Sequence, residues 1–207
     1  MKKGLIATAL ALGLVGASAP PITADNTYHG CPFSANIDRN VVIDAATYPH
    51  PVCGVNGVID GSVRADGVHL TVQGTISGDL TVNDGNLLLF GPVAGRVRQT
   101  GTGYVDVYEP GVVAGSISES GPGRVGIRET TTGGPGGIVR GRVTEKDAGD
   151  ISVRGTAYRG VSEQGSGSVF VRAGATVEGA IKEKGEGSCL VSPDASVTGP
   201  LRGDCRE

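Results

Sequence analysis

Five polar residues recur at one equivalent place in this sequence: Gln99, Glu119, Glu145, Glu163 and Glu183. Each stands two positions after an apolar residue, namely Val97, Ile117, Val143, Val161 and Ile181. Carboxylates at a fixed place in successive repeats have one obvious chemistry. Glu119, Glu145, Glu163 and Glu183 would form a ladder of oxygen ligands, and a divalent cation such as Ca²⁺ takes several of these. The plainer reading, which we favour, puts the column on a solvated turn where charge discourages lateral aggregation. Lys146, Lys182 and Lys184 flank it and would offset repulsion between carboxylates ~4.8 Å apart.

Other constellations carry less. Cys31, Cys53, Cys189 and Cys205 allow three pairings. Two near the start and two near the end suggest Cys31–Cys53 and Cys189–Cys205, closing loops at opposite ends of a domain. A metal site is a weak alternative, because there is no CxxC pair and His29, His50 and His69 are not at ligand spacing. The sequence has no G-x-S-x-G elbow, no phosphate loop, no H-E-x-x-H and no calcium nonapeptide of the RTX type. Arg202-Gly203-Asp204 spells an integrin-binding tripeptide, but three-residue matches are common by chance and nothing is built on it.

The element that would position these residues is a repeat. A core of the form apolar-x-Gly-x-apolar recurs as Ile59-Gly61-Val63, Ile76-Gly78-Leu80, Val93-Gly95-Val97, Val113-Gly115-Ile117 and Val139-Gly141-Val143. It continues through Ala157-Arg159-Val161, Val177-Gly179-Ile181 and Val197-Gly199-Leu201, with Arg159 alone breaking the glycine column. Eight and ten residues after each core comes a second apolar pair: Leu88 and Phe90, Val105 and Val107, Val125 and Ile127, and onward to Cys189 and Val191. The first copy, Leu70 and Val72, arrives one residue early. The last core residues are spaced 17, 17, 20, 26, 18, 20 and 20 apart, which suits one coil of a β-solenoid. Alternation at period two says strand within each element. The expected fold is therefore all-β, a single-stranded parallel β-helix of about seven coils of 17–26 residues, on the order of 34 Å long at the usual strand spacing.

Length variation falls between the second pair and the next core, and its longest segment runs from Thr130 to Gly137. Such insertions map to one face of a solenoid, often the binding face. The reading by segment is a signal peptide over 1–24, an irregular disulfide-bonded cap over 25–57, the solenoid over 58–201 and a C-terminal tail over 202–207 clasped by a disulfide. The leader rests on Lys2 and Lys3 ahead of an apolar run, with small residues at Ala17-Ser18-Ala19 and a second cleavage option after Ala24. A secreted or cell-surface location with no membrane span in the mature chain is expected.

Composition narrows the function. The 207 residues include 36 Gly, three Phe, five Tyr and no Trp, so the core must be built from Val, Ile and Leu. A net charge of −3 with both signs interspersed argues against nucleic acid as a partner. The small domain and its shortage of aromatics argue against a polysaccharide-cleaving β-helix enzyme.

The repeated apolar-x-Gly-x-apolar core with a short following strand, at 17 to 20 residues per coil, resembles the bactofilins over roughly residues 58 to 201. The resemblance implies a right-handed β-helix and end-to-end polymerisation. The leader, the four cysteines and the N-terminal segment depart from that family's pattern. The expectation is an exported, non-enzymatic structural or scaffold protein without cofactors that self-associates end to end. The alternatives are an adhesin-like module for a cell-surface glycan, cation or protein, and a small polysaccharide-active enzyme.

Overall fold

A computed structural model describes residues 27–129 and 134–206. The leader proposed for 1–24 and the Thr130–Gly133 part of the long loop lie outside the described residues. Every strand pair is parallel, and no helix is present among the described residues, hence none long and apolar enough to cross a membrane.

Successive coils run over three faces in turn. The first face holds ten strands, from Thr27–His29 and Asn40–Asp44 to Ile181–Lys182 and Leu201–Arg202. The second holds nine, from Val52–Val55 to Cys205–Arg206. The third is made of two-residue strands such as Val58–Ile59, Val112–Val113 and Ser196–Val197, joined where Val93 bridges Ile76 and Val113.

Register follows the repeat. Val63, Leu80, Val97, Ile117, Val143, Val161, Ile181 and Leu201 are successive ladder partners on the first face. Because side chains alternate along a strand, every second residue turns into the prism, and these aliphatic columns are its core. Each fully buried Val, Leu or Ile contributes about 1.5–3 kcal/mol relative to exposure. Such small cross-sections need close coil contacts at the corners. At Gly141, backbone atoms of Gly115 and Ser116 occupy the space a Cβ would need.

Three expectations are corrected. The solenoid has about nine turns, not seven. Asn40–Asp44, Val52–Val55 and Val58–Ile59 already form a full coil in register with the next, and Thr27–His29, Phe33 and Ile37 pair onto that coil from the other side. The segment before 58 is therefore solenoid rather than irregular cap. Its core motif, Ile37-x-Arg39-x-Val41, has arginine in place of glycine, and the bend from Ala45 to Pro51 spreads its two apolar elements apart.

The second correction concerns Leu88 and Phe90. Leu87 and Leu89 are the inward pair, stacked between Leu70/Val72 and Val105/Val107. In the unbroken apolar run Leu87-Leu88-Leu89-Phe90 a one-residue slip inverts the faces. Phe90 instead packs outside, its ring stacked on Tyr108 at 5.0 Å. Third, within the segment expected as a disulfide-clasped tail, Cys205–Arg206 form the last strand of the second face.

Both disulfides join the suggested partners, Cys31–Cys53 and Cys189–Cys205. Cys53 stands opposite Leu70 and Cys189 opposite Val169 in one buried column of the second face, so a disulfide sits at each end of that column.

Candidate functional site

The polar column lies inside the prism. Ile43, Ala65, Val82, Gln99, Glu119, Glu145 and Glu163 are successive ladder partners on the first face. Gln99, Glu119, Glu145 and Glu163 have no solvent exposure, and Glu183 has 4 %. The solvated-turn reading is overturned. The first-face strand continues past the last core apolar residue, and the residue two positions on returns to the inner face. Lys146 and Lys184 are exposed, so they do not offset the column from within.

The ladder has a structural partner in the bend that follows it. Where the inward residue is Ala65 or Val82, the second face begins five residues later, at Leu70 or Leu87; from Gln99 onward it begins six later, at Val105, Val125, Ile151, Val169 and Cys189. The larger bend turns peptide groups toward the interior, where they need partners. Gln99 donates through Nε2 to the carbonyls of Thr100 and Thr102 at 3.1 Å. The Glu145 carboxyl accepts from the Gly149 N–H at 3.1 Å, and Glu163 from Gly165 and Gly167 at 2.6 and 3.2 Å.

The remaining oxygens are not matched. Both oxygens of Glu119, one each of Glu145, Glu163 and Glu183, and Oε1 of Gln99 are buried without a hydrogen-bond partner of normal geometry. For Glu119, Glu145 and Glu163 such burial favours the neutral form. Burial pushes Glu145 up to about 9, reinforced by the neighbouring Glu119. Burial also pushes Glu119 up to about 7, opposed by its side-chain interaction with Glu145. Burial raises Glu163 as well, held back by the N–H groups of its own bend. No group of three or more His, Cys, Asp or Glu side chains among the described residues converges on a common point as metal ligands do. The column reads as a partly protonated internal girder.

The outer side of the same face carries a different feature. Arg98, Ser118, Thr144 and Ser162 are the outward ladder partners of successive coils. A groove of about 760 Å³ takes in Ser118 and Thr144 of this row and is lined as well by Arg96, Ser116, Arg140, Arg142 and Arg159. A second hollow of about 440 Å³ shares Arg96, Ser116 and Ser118 with it and adds Arg98 and Lys146. Arg96 is tied at 2.8 Å to Asp79, whose carboxyl it holds below the usual range through that hydrogen bond. The other four arginines are exposed and have no carboxylate partner among the described residues. Reading the sequence missed this patch. Its signal was two Arg-x-Arg pairs two coils apart, Arg96/Arg98 around Val97 and Arg140/Arg142 around Gly141.

The remaining candidates stay apart. His50 packs on Tyr48 at 5.1 Å, and His69 accepts the Asn86 N–H, so neither joins a shared site. Arg202, Gly203 and Asp204 are exposed beside Cys205. Of the long loop, Gly136 and Gly137 are buried, the latter donating to the Arg128 carbonyl at 2.9 Å.

No family model matches this sequence, and neither a curated protein nor a solved structure is significantly similar to it.

Proposed function

We propose that this protein is an exported, non-enzymatic structural rod that associates end to end. The observation that carries the reading is the C-terminal end of the prism. Ser196–Val197, Leu201–Arg202 and Cys205–Arg206 are the last strands of the three faces, each with one edge unpaired among the described residues. Val197 and Leu201 continue the aliphatic columns to that end and are only partly buried. Open parallel edges over an open apolar column are a template for another coil. A second copy stacked head to tail would supply it, and a heterologous contact of that kind propagates. Two disulfides at the ends of one column suit an oxidising compartment, in keeping with an exported protein.

Light scattering on the oxidised chain from residue 25 onward, over a wide concentration range, tests the reading. Mass should grow with concentration, and Leu201→Asp, which puts charge on the open column, should return the protein to monomer. A monomer at every concentration would sink the scaffold reading. The outer arginine groove favours a second role in surface binding.

A further inference from the structure

We infer that the outer groove of the first face binds a linear, carboxylate-bearing polysaccharide. Charge sets the class of partner. Among the described residues Arg98, Arg140, Arg142 and Arg159 have no acidic partner, and they cluster on one face of a chain whose net charge is −3. A guanidinium presents a planar fork that matches a carboxylate bidentately.

The order of the cations suits a polymer. Arg96 and Arg98 stand on one coil, Ser116 and Ser118 on the next, Arg140, Arg142 and Thr144 on the third, and Arg159 on the fourth. Two coil spacings separate the first arginine pair from the second, about 10 Å, and one more reaches Arg159. An extended chain laid along the rod axis would set its acidic groups at these steps. The floor between them is hydroxyl-bearing, from Ser116, Ser118 and Thr144, and is suited to a ligand rich in hydroxyls itself.

The lining also disfavours other polyanions and partners. It has no aromatic ring on which a base could stack, so single-stranded nucleic acid would find charge but no platform. It has no exposed large apolar side chain to serve as the buried anchor of a protein interface. This inference does not depend on whether rods associate.

The test is calorimetric titration of the oxidised protein with polygalacturonate, at a protein concentration where scattering gives a single mass. Neutral dextran and single-stranded DNA serve as comparison ligands, at low and high salt. Binding of polygalacturonate that weakens with salt, with dextran inert and DNA weaker, is the expected result. The double variant Arg142→Ser and Arg159→Gly should lose at least tenfold in affinity. Both changes install residues that neighbouring coils already carry at equivalent positions, so its melting curve should match the parent. No binding by the parent, equal binding by the folded double variant, or DNA bound as tightly as polygalacturonate would each overturn the inference.

Discussion

Glu119 and Glu145 face each other across neighbouring coils of the first face, and neither side chain reaches solvent. Their folded forms hold protons that the unfolded chain releases above about 4.5, because burial raises Glu119 to about 7 and Glu145 to about 9. The folded state binds more protons across that window, so stability is full below it and falls as pH rises toward 9. Each retained proton gives a slope of up to about 1.4 kcal/mol per pH unit. Thermal melts should therefore drop steadily from mildly acidic to alkaline buffer. Glu145→Gln keeps a donor toward Glu119 without the titration, and should melt higher than the parent at alkaline pH with a flatter profile. An unchanged slope in that variant would remove the ladder as the cause.

Gly149 closes the bend that Glu145 caps. The carbonyl of Gly123, one coil away, lies where a Cβ would stand. Gly149→Ala must push two coils apart, and a loss of about 3 kcal/mol is expected, at the top of the overpacking range. Gly174 supplies the contrast, with open space around it and a φ of +76°. There only the left-handed backbone opposes alanine, at about 1–2 kcal/mol. Urea midpoints of the two variants should rank in that order; equal losses would mean coil contact is not what the bend glycines protect.

Asp106 is buried on the second face and accepts from Arg124 at 3.0 Å and Arg128 at 2.6 Å. Its ladder partner is Gly126, where a Cβ would meet both the Asp106 carboxylate and the Arg128 guanidinium. Asp106→Ala should cost about 1.5–3 kcal/mol, the range for hydrogen bonds to a charged group. The larger penalty of a stranded buried charge should not appear, because Arg124 is half exposed and already lies over the Tyr104 ring. Denaturation of the single variant against Asp106→Ala/Arg128→Ala checks this, and a loss well above that range would show the arginines cannot reach water.

Much of the fold was legible because the same physics acts on every coil. A column that must be apolar in one coil must be apolar in the next, so Val63 through Leu201 announced both the strands and their register. The misreadings have local causes. The first full coil was hidden by the Ala45–Pro51 excursion, and Leu87–Phe90 by an apolar run without alternation. The Glu column was placed correctly by coil but on the wrong side, since charge suggested water while strand periodicity pointed inward. A further cue was the recurring glycine four residues on, at Gly103, Gly123, Gly149, Gly167 and Gly187, which marks the bend these side chains cap. The arginine groove was not legible, because Arg140 and Arg159 come together with Arg96 only after four coils are stacked.

Cys189 and Cys205 are ladder partners at the open end, with Cα atoms 4.2 Å apart. The last strand of the second face, Cys205–Arg206, pairs over only two residues and is exposed on its far side, so its ladder bonds alone would fray. The bond closes a loop of 16 residues, for which chain entropy gives about 3 kcal/mol. Cys189→Ala/Cys205→Ala should lower stability by roughly that amount. It should also raise hydrogen exchange at Leu201 and Arg202 while leaving the coil of Val143 protected. If exchange rises evenly along the rod, the disulfide restrains the whole unfolded chain instead of holding the last coil down. If neither stability nor exchange changes, backbone pairing alone secures that end.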